Sequence, residues 1–339
     1  MILNRDIILK GRGSCVRGYS DYRKAKHKNS YRTDYNENAN RKYSTSTIRA
    51  PHLNKNVASS FSKLYPQFVT GFIDGEGCFS ITIARHSKLK IGWGIKIIFS
   101  ITLHEKDKAL LEQIQNYFGV GKIWRSGDQL IQLRIESIKE LALIIDHLEK
   151  YPLISKKHEV FEAFKQAFNI IKNKEHLTQG GLEKIVRIKA SINRGLSDKL
   201  KEAFPFIESV TPIEDESLVL TNKTLGEANS QISDPHWLAG FVSAEGCFLV
   251  NIYNAPSYKL GKAVSLAFLI TQHVRDSLLL TSFEKYLNCG KYSCRSEKEK
   301  VGDFAVYKYS DIVEKIIPFF DRYSILGVKN HNFPPERFL

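Results

Sequence analysis

The sequence predicts an α+β protein built from two copies of one unit, each with the element order α-β-β-α-β-β-α and one antiparallel sheet. Three observations predict this fold. Two parts of the chain repeat each other at a constant offset, a short apolar helix opens each copy, and period-two alternation of apolar and polar residues follows each helix. We expect a pseudo-two-fold axis to relate the two αββαββα units.

The internal repeat is the strongest of these observations. Phe68–Ile81 reads FVTGFIDGEGCFSI and Trp237–Val250 reads WLAGFVSAEGCFLV, at an offset of 169 residues, with GF and EGCF unchanged. Similar matches continue at this offset as far as Lys122 and Lys291, and Lys157 later matches Lys329 at an offset of 172. A constant offset over separate segments indicates a duplicated unit.

Each copy opens with a short apolar helix, predicted at 66–76 and 235–245, that ends at a glycine. A predicted strand follows, in which side chains alternate between two faces and Phe79, Ile81 and Ile83 share one face in the first copy. After a turn and a second strand, each copy continues with a helix (106–118 and 275–287), two strands (120–135 and 289–309) and another helix (138–148 and 311–321).

The two copies differ after their matched lysines. The first continues beyond Lys157 into two further helical segments, 158–174 and 181–195, whereas Pro334 and Pro335 would stop a helix soon after Lys329. We therefore expect part of the second sheet to be uncovered. The predicted organisation is a basic polar leader (1–63), a first repeat (64–197), a linker (198–233) and a C-terminally short second repeat (234–339). The leader is expected to be disordered, a targeting segment or derived from an upstream exon.

The net charge of +14 indicates a polyanionic partner. Most of this charge lies in the leader, where residues 1–63 hold 14 Lys and Arg against 4 Asp and Glu, so a nucleic-acid surface on the folded body would be a local patch. The five cysteines show no zinc-ligand spacing and, in a chain of this length, argue against a disulfide framework. No run of 18 apolar residues is present, which argues against a membrane partner.

The opening helices carry the chemistry. Gly71 and Gly75 are four residues apart in the first, and Gly240 and Ala244 match them in the second, so each helix has a flat stripe on which another backbone can pack closely. If the stripes pack on each other, Glu76 and Glu245 meet at one end and repel unless a cation neutralises them. A divalent ion such as Mg²⁺ suits two carboxylates beside phosphates. The alternative is two exposed acids at helix ends.

VTGFIDGEG (69–77) and LAGFVSAEG (238–246) resemble the signature of LAGLIDADG homing endonucleases, and the flanking sequence over about residues 64–332 is similar to single-chain members encoded in fungal mitochondrial introns. The resemblance implies a monomer in which the signature helices form the interface between repeats. It implies that Glu76 and Glu245 bind Mg²⁺ or Mn²⁺, helped by the backbone carbonyls of Gly75 and Ala244. It also implies a mitochondrial protein whose sheets form a saddle over the DNA major groove.

The resemblance extends to other catalytic positions. Lys157 and Lys329 occupy a place where the family has a basic residue near the scissile phosphates, although each could be a solvated lysine at a helix start. Gln272 lies where the family has a polar active-site residue. Its match in the first copy is the apolar Leu103, so one DNA strand would be cut more readily. His104 and His273 are read as structural or capping residues, and Ser243 replaces the acid of the second signature harmlessly.

Sequence readout is expected from outward strand positions and turns, over roughly 20 base pairs. Serine, asparagine and arginine can bond base edges, whereas lysine mainly contacts phosphate. The candidates are Ser80, Thr82, Arg85, His86, Lys88, Lys90, Lys96, Asn251, Tyr253, Asn254, Tyr258, Lys259 and Lys262. Ordinary solvated strand faces are the competing interpretation.

Three functions remain open. The leading hypothesis is a site-specific double-strand DNA endonuclease that serves intron homing, and the presence of both acids favours it. The second is a maturase that binds its host intron RNA and helps it to splice. The third is a nucleic-acid-binding derivative that no longer cuts. The short C-terminal region of the second copy favours the last two.

Overall fold

The structure, a computed structural model, describes residues 64–193, 195–207, 232–296, 298 and 300–332. The leader, most of the linker, Pro334 and Pro335 lie outside these residues. The described residues from Leu64 onward form one compact unit that contains both repeats.

The first repeat has the predicted element order. Its elements are α1 (Pro66–Glu76), β1 (Gly77–Arg85), β2 (Trp93–His104), α2 (Lys108–Phe118), β3 (Lys122–Arg125), β4 (Leu130–Ile135) and α3 (Ile138–Lys150). Three further helices follow, α4 (Lys157–Lys172), α5 (Gln179–Ser191) and α6 (Asp198–Ala203). The helix predicted from residue 106 begins instead as a 3-10 turn, Glu105–Asp107, before α2.

The second repeat follows the same order. Its elements are α7 (Pro235–Glu245), β5 (Gly246–Asn254), β6 (Lys262–His273), the 3-10 turn Val274–Asp276, α8 (Ser277–Leu287), β7 (Lys291–Ser296) and β8 (Val301–Val306). Its third helix has a π-helical turn, Ile312–Ile316, between α9 (Tyr309–Asp311) and α10 (Ile317–Arg322). Helix α11 (Lys329–Asn332) occupies the place of the start of α4.

Each repeat contains one antiparallel four-stranded sheet, so the predicted α+β class is confirmed. The strand orders are β1-β2-β4-β3 and β5-β6-β8-β7. Gly77 pairs with Ile101 and Gly246 with Ile270, so the two sheets have the same register 169 residues apart. Because strand β1 or β5 continues directly from the opening helix, the end of that helix is held at the edge of its own sheet.

Helix starts and ends follow local sequence. Pro66 and Pro235 occupy the first helical position of α1 and α7, where the missing amide hydrogen costs nothing. The Asp234 side chain also accepts a hydrogen bond from the His236 amide and so caps α7. Helix α2 ends at Gly119, which has the left-handed φ of 69° that glycine adopts without strain.

The first repeat extends beyond the predicted boundary at residue 197. Residues 198–207, which we assigned to the linker, contain α6, and Leu200, Phe204 and Ile207 are buried in the core of the first repeat. Phe204 packs against Trp93 on the back of the sheet, with ring centroids 5.2 Å apart. The apolar residues of this segment are sparse and show no helical periodicity, so the sequence did not predict that they join the core.

The two sheets are covered to different extents. Ile81 and Ile83 in β1 are buried, and Phe161 and Phe164 of α4 pack in the same core and contact Phe79. The matched residues of β5, Val250 and Ile252, are 64% and 66% exposed. Among the described residues, this part of the second sheet is therefore exposed, whereas the matched part of the first sheet is buried.

Within the described part of the chain, no helix has the length and hydropathy needed to cross a membrane. The cysteines in that part, Cys78, Cys247, Cys289 and Cys294, form no disulfide with one another.

Candidate active site

Helices α1 and α7 pack on each other through their small residues. A Cβ added to Gly71 would overlap the carbonyl oxygen of Trp237, and a Cβ added to Gly240 would overlap that of Phe68. These two clashes are equivalent under the pseudo-two-fold axis. One turn further on, a Cβ at Gly75 would overlap the Cβ of Ala244. The four predicted interface residues thus lie at the closest approach of the two helix backbones.

This packing brings together the two glutamates at the helix ends. Burial raises the pKa of Glu76 well above its usual range, and the nearby Glu245 carboxylate raises it further. Burial likewise raises the pKa of Glu245. The ammonium groups of Lys157 and Lys329 oppose both shifts. Two carboxylates and two ammonium groups therefore share one poorly solvated site.

The two lysines hold the same helix ends. Lys157 Nζ donates hydrogen bonds to the carbonyl oxygens of Ile73, at 3.1 Å, and Gly75, at 2.7 Å. Lys329 Nζ donates to the carbonyl oxygen of Ala244. Burial lowers the pKa of both lysines, and the surrounding carboxylates oppose the change. The structure thus places both lysines in the site. A solvated lysine at a helix start would not make these hydrogen bonds to backbone carbonyls.

The residue at position six of each signature, Asp74 or Ser243, anchors the segment before the lysine of its own repeat. Asp74 accepts hydrogen bonds from the Ile154 amide at 2.9 Å and from the amide and hydroxyl of Ser155. Ser243, its match, accepts from the Leu326 amide at 3.0 Å. The serine therefore keeps one anchoring bond of the acid that it replaces.

Gln272 lies at the end of β6 and its side chain hydrogen-bonds to Glu245, which lowers the pKa of that carboxyl. The matched Leu103 is buried. The two halves of the site therefore differ in polar support. His104 and His273 cap the 3-10 turns that follow β2 and β6, because each Nδ1 accepts a hydrogen bond from the amide two residues on.

The polar face of each sheet, defined as the face opposite the buried Phe79 or Phe268, carries some of the predicted readout residues. Cross-strand partners share a face. The register therefore groups Ser80, Thr82 and Lys96 in the first repeat, and Asn251 and Tyr253 in the second. Five others lie at the turns between these strands or next to them and are exposed: His86, Lys88, Lys90, Tyr258 and Lys259.

Three predicted readout residues alternate to the opposite face. Arg85 pairs with Trp93, and its guanidinium lies 4.3 Å from the centroid of that ring. Asn254 pairs with Lys262 and shares the face of the exposed Val264. These three residues lie at strand ends beside the turns and not on the polar face.

Polar residues on strands β3 and β4, and on their counterparts β7 and β8, were left out of the readout residues predicted from the sequence. In the first sheet, Lys122 pairs with Arg134 and Trp124 with Gln132, and the Gln132 amide donates a 2.9 Å hydrogen bond to Thr102 Oγ1. In the second, Asp303 accepts two hydrogen bonds from Arg295. The alternation in LIQLRI (130–135) was a usable signal for the first group.

Within the described residues, no three His, Cys, Asp or Glu side chains cluster as a metal site. Glu76 and Glu245 together supply two carboxylates with raised pKa, which a cation would stabilise in their charged forms. Mg²⁺ commonly takes one or two carboxylates and completes its shell with water and substrate phosphates. The donors present fit such an ion when a phosphate-bearing substrate adds the remaining ligands.

Comparison with known proteins agrees with this geometry. A family model described as LAGLIDADG endonuclease matches residues 69–168 and 238–334. Two curated relatives come from Neurospora crassa. "Probable intron-encoded endonuclease 2" is 41% identical over 80% of this chain and 58% of its own length. "Probable intron-encoded endonuclease 3" is 38% identical over 81% of this chain and 50% of its own length. The chain thus spans about half the length of these relatives.

Solved structures of the homing endonuclease I-SmaMI have the same fold. The I-SmaMI chain in the complex with cleaved DNA is 41% identical in sequence to this chain. The match covers 80% of this chain and 87% of the I-SmaMI chain, with a TM-score of 0.74. Another was determined on uncleaved DNA with calcium ions and has the same TM-score and identity. The two matched segments hold the paired glutamates, the lysines and both sheets, and the chain belongs to the LAGLIDADG endonuclease family.

Proposed function

We propose that this protein is a site-specific DNA endonuclease of intron homing that hydrolyses one phosphodiester bond in each strand of its target. One observation carries the proposal: Glu76 and Glu245, from different repeats, meet beside Lys157 and Lys329 in a poorly solvated site. The DNA-bound structures of similar proteins support DNA as the substrate. The relatives' intron-encoded names support an intron origin, and the resemblance to fungal mitochondrial proteins supports the mitochondrion.

We propose that Glu76 and Glu245 hold the metal, with Mg²⁺ or Mn²⁺ as the working ion. The bound ion would activate water and stabilise the leaving oxygen. The two glutamates need to be ionised to bind it, and their raised pKa values mean that they hold protons more readily than free carboxyls do. The Gly75 and Ala244 carbonyls already accept hydrogen bonds from the lysines, so their main role here is to position Nζ.

The lysines act on substrate charge. Each Nζ is buried and fixed by a backbone carbonyl, so its charge costs no reorganisation when a phosphate arrives. A phosphodiester that enters the site would receive positive charge from Lys157 or Lys329 where negative charge develops during hydrolysis. Gln272 orients Glu245 through its hydrogen bond, and the buried Leu103 gives Glu76 no matching support. We therefore expect the two strands to be cut at different rates.

The polar faces would provide recognition along roughly 20 base pairs. Ser80, Thr82, Lys96, Asn251 and Tyr253 lie on them. The register adds four residues to the same face of the first sheet: Lys122, Trp124, Gln132 and Arg134. A single chain carries both sheets in one compact unit, which supports action as a monomer on a long, asymmetric site.

The test uses purified protein with double-stranded DNA of its host locus without the intron, with and without Mg²⁺. A Glu76→Gln, Glu245→Gln double variant removes both carboxylates, and Glu112→Gln, on the exposed side of α2, is the matched control. Metal-dependent cutting that the control retains and the double variant loses would support the proposal. Tight DNA binding without cutting would overturn it, and restored splicing of host intron RNA would then favour the maturase.

A further inference from the structure

Asp107 and Asp276 stand at matched positions where each 3-10 turn passes into the next helix. A residue at such an N-cap commonly uses its side-chain oxygen to accept amide hydrogen bonds from its own helix. Within the described part of the chain, neither aspartate does so. The capping of each preceding turn falls to His104 or His273 instead. Both carboxylates are therefore available for other partners.

Each carboxylate binds a backbone amide of the other repeat. Asp276 Oδ1 in the second repeat accepts a 2.7 Å hydrogen bond from the Lys156 amide in the first. Asp107 Oδ1 in the first repeat accepts a 2.7 Å hydrogen bond from the Val328 amide in the second. The two bonds are equivalent under the pseudo-two-fold axis. Their acceptors are charged, which makes them stronger than ordinary amide hydrogen bonds.

The bonded amides lie one residue before the active-site lysines. Lys156 precedes Lys157, and Val328 precedes Lys329. Beyond the backbone bond, each lysine reaches back to a carbonyl of its own repeat, Gly75 or Ala244. For each of the two lysines, the opposite repeat therefore holds the residue before it, and its own repeat holds the tip of its side chain.

Packing around the aspartates supports a fixed contact. Asp276 is buried, with 6% of its surface exposed. Gly327 has the left-handed φ of 80°, and a Cβ there would lie 2.5 Å from Asp107 Oδ1. The glycine thus permits the close approach that the Asp107–Val328 bond needs.

We propose that Asp107 and Asp276 are positioning residues that act across the repeat interface, so that Asp276 places Lys157 and Asp107 places Lys329. Each half of the active site is then assembled by both repeats. The proposal deepens the endonuclease function proposed above and rests on it for its catalytic consequence. The backbone contact itself can be tested without cleavage.

The proposal predicts that each aspartate variant slows cleavage of one DNA strand, the strand that depends on the lysine of the other repeat. In Asp276→Ala the segment at Lys157 loses its anchor, and in Asp107→Ala the segment at Lys329 loses its anchor. Misplacing a catalytic group by a fraction of an ångström to one ångström slows a reaction by on the order of 10- to 100-fold. We expect each variant to slow one strand by that factor and the other by less than about threefold.

The cleavage experiment uses full-length protein in single turnover on host-locus DNA, with the two strands carrying different end labels. Lys157→Ala and Lys329→Ala first establish which strand depends on which lysine. Asp276→Ala should then reproduce the strand bias of Lys157→Ala, and Asp107→Ala that of Lys329→Ala. The Asn variants keep an acceptor oxygen and should recover much of the lost rate. Asp146→Ala, at an exposed position of α3, is the control.

Equal slowing of both strands by each Ala variant, or a bias that follows the aspartate's own repeat, would overturn the proposal. If the wild-type protein cuts neither strand, the endonuclease function fails and amide hydrogen exchange decides the contact. Asp276→Ala should speed exchange selectively at Lys156, and Asp107→Ala at Val328, by about tenfold or more. Unchanged protection at these two amides would overturn the proposal by itself.

Discussion

Trp237 Nε1 in the second repeat donates a 2.9 Å hydrogen bond to Asp74 Oδ2 in the first. The same carboxylate accepts hydrogen bonds from Ile154 and Ser155 of its own repeat. One buried acid thus joins three parts of the molecule: the signature helix, the segment before Lys157 and the helix of the other repeat. Burial raises the pKa of Asp74. The hydrogen bonds from Ser155, Ile154 and Trp237 and the charge of Lys157 oppose that shift only in part.

Removing this carboxylate should destabilise the fold. In Asp74→Ala, the Trp237 indole and the Ile154 and Ser155 donors lose their acceptor while still buried, so we expect a loss of about 3 kcal/mol in the free energy of unfolding. Ser243→Ala, the matched change, removes one amide acceptor and should cost about 1 kcal/mol. Urea unfolding followed by circular dichroism measures both, and equal losses would contradict the central role of Asp74.

The glycines at the helix contact should not tolerate a methyl group. Gly71→Ala and Gly240→Ala would each drive a Cβ into the opposite helix backbone, so we expect losses of at least about 2 kcal/mol. Gly180→Ala is the control, because a Cβ there meets no atom within 4 Å in the described structure. It should be neutral or slightly stabilising in α5. Thermal unfolding of the three variants makes the comparison, and a wild-type midpoint for Gly71→Ala would refute the close packing.

His147 should make stability depend on pH. Its Nε2 lies 3.1 Å from Thr70 Oγ1 and its Nδ1 lies 3.2 Å from the Tyr117 hydroxyl, in a buried position. Burial lowers the pKa of His147 to about 4. Between pH 6.5 and 4 the unfolded chain binds a proton that the folded chain excludes, so stability is full above this window and falls as the pH decreases through it.

The expected loss from this residue is about 2 kcal/mol between pH 7 and pH 5. His147→Gln cannot take up the proton and should lack this part of the pH dependence, although it is less stable at neutral pH. Urea unfolding of both proteins at the two pH values gives the difference, in which the other titrating groups cancel. Parallel pH profiles for the two proteins would contradict the assigned shift.

Gln272 should set the acidic limit of activity in its half of the site. Its hydrogen bond stabilises the ionised Glu245 carboxylate, so Gln272→Leu, which copies Leu103, should raise the pKa of Glu245. If ionised Glu245 is needed to hold the metal, the acidic limb of the rate profile moves to higher pH. Strand-specific cleavage rates over a pH series measure this. Leu103→Ile, at the matched position, should leave the profile unchanged.

The uncovered face of the second sheet should accept charge that the first sheet cannot. Ile81→Lys places an ammonium group in a core position and should cost more than about 4 kcal/mol. Val250→Lys, at the matched exposed position, should change stability by less than about 0.5 kcal/mol. Denaturant unfolding of the pair tests this, and a large loss for Val250→Lys would mean that this face is covered in solution.

Local patterns predicted most elements of both repeats. The alternation of apolar and polar residues predicted β1 and β5. The glycines after α1 and α7 predicted the ends of these helices at the observed residues. The π-helical turn Ile312–Ile316 and helix α6 were missed. The first has no strong local signal, and the second is stabilised mainly by burial of Leu200, Phe204 and Ile207 against the first repeat. Arg85 was chosen as a readout residue for its chemistry, although the alternation in β1 places it on the face of Phe79, Ile81 and Ile83.

The sequence by itself determined the duplication, the strand and helix order, and the residue types at the centre: two glutamates, two lysines and the small residues between helices. Periodicity and self-similarity are properties of the chain, so they can be read without coordinates. Only the tertiary structure decided that Asp107 binds the Val328 amide and Asp276 the Lys156 amide. These partners are 221 and 120 residues apart, and no local pattern records a contact between residues so distant in the chain.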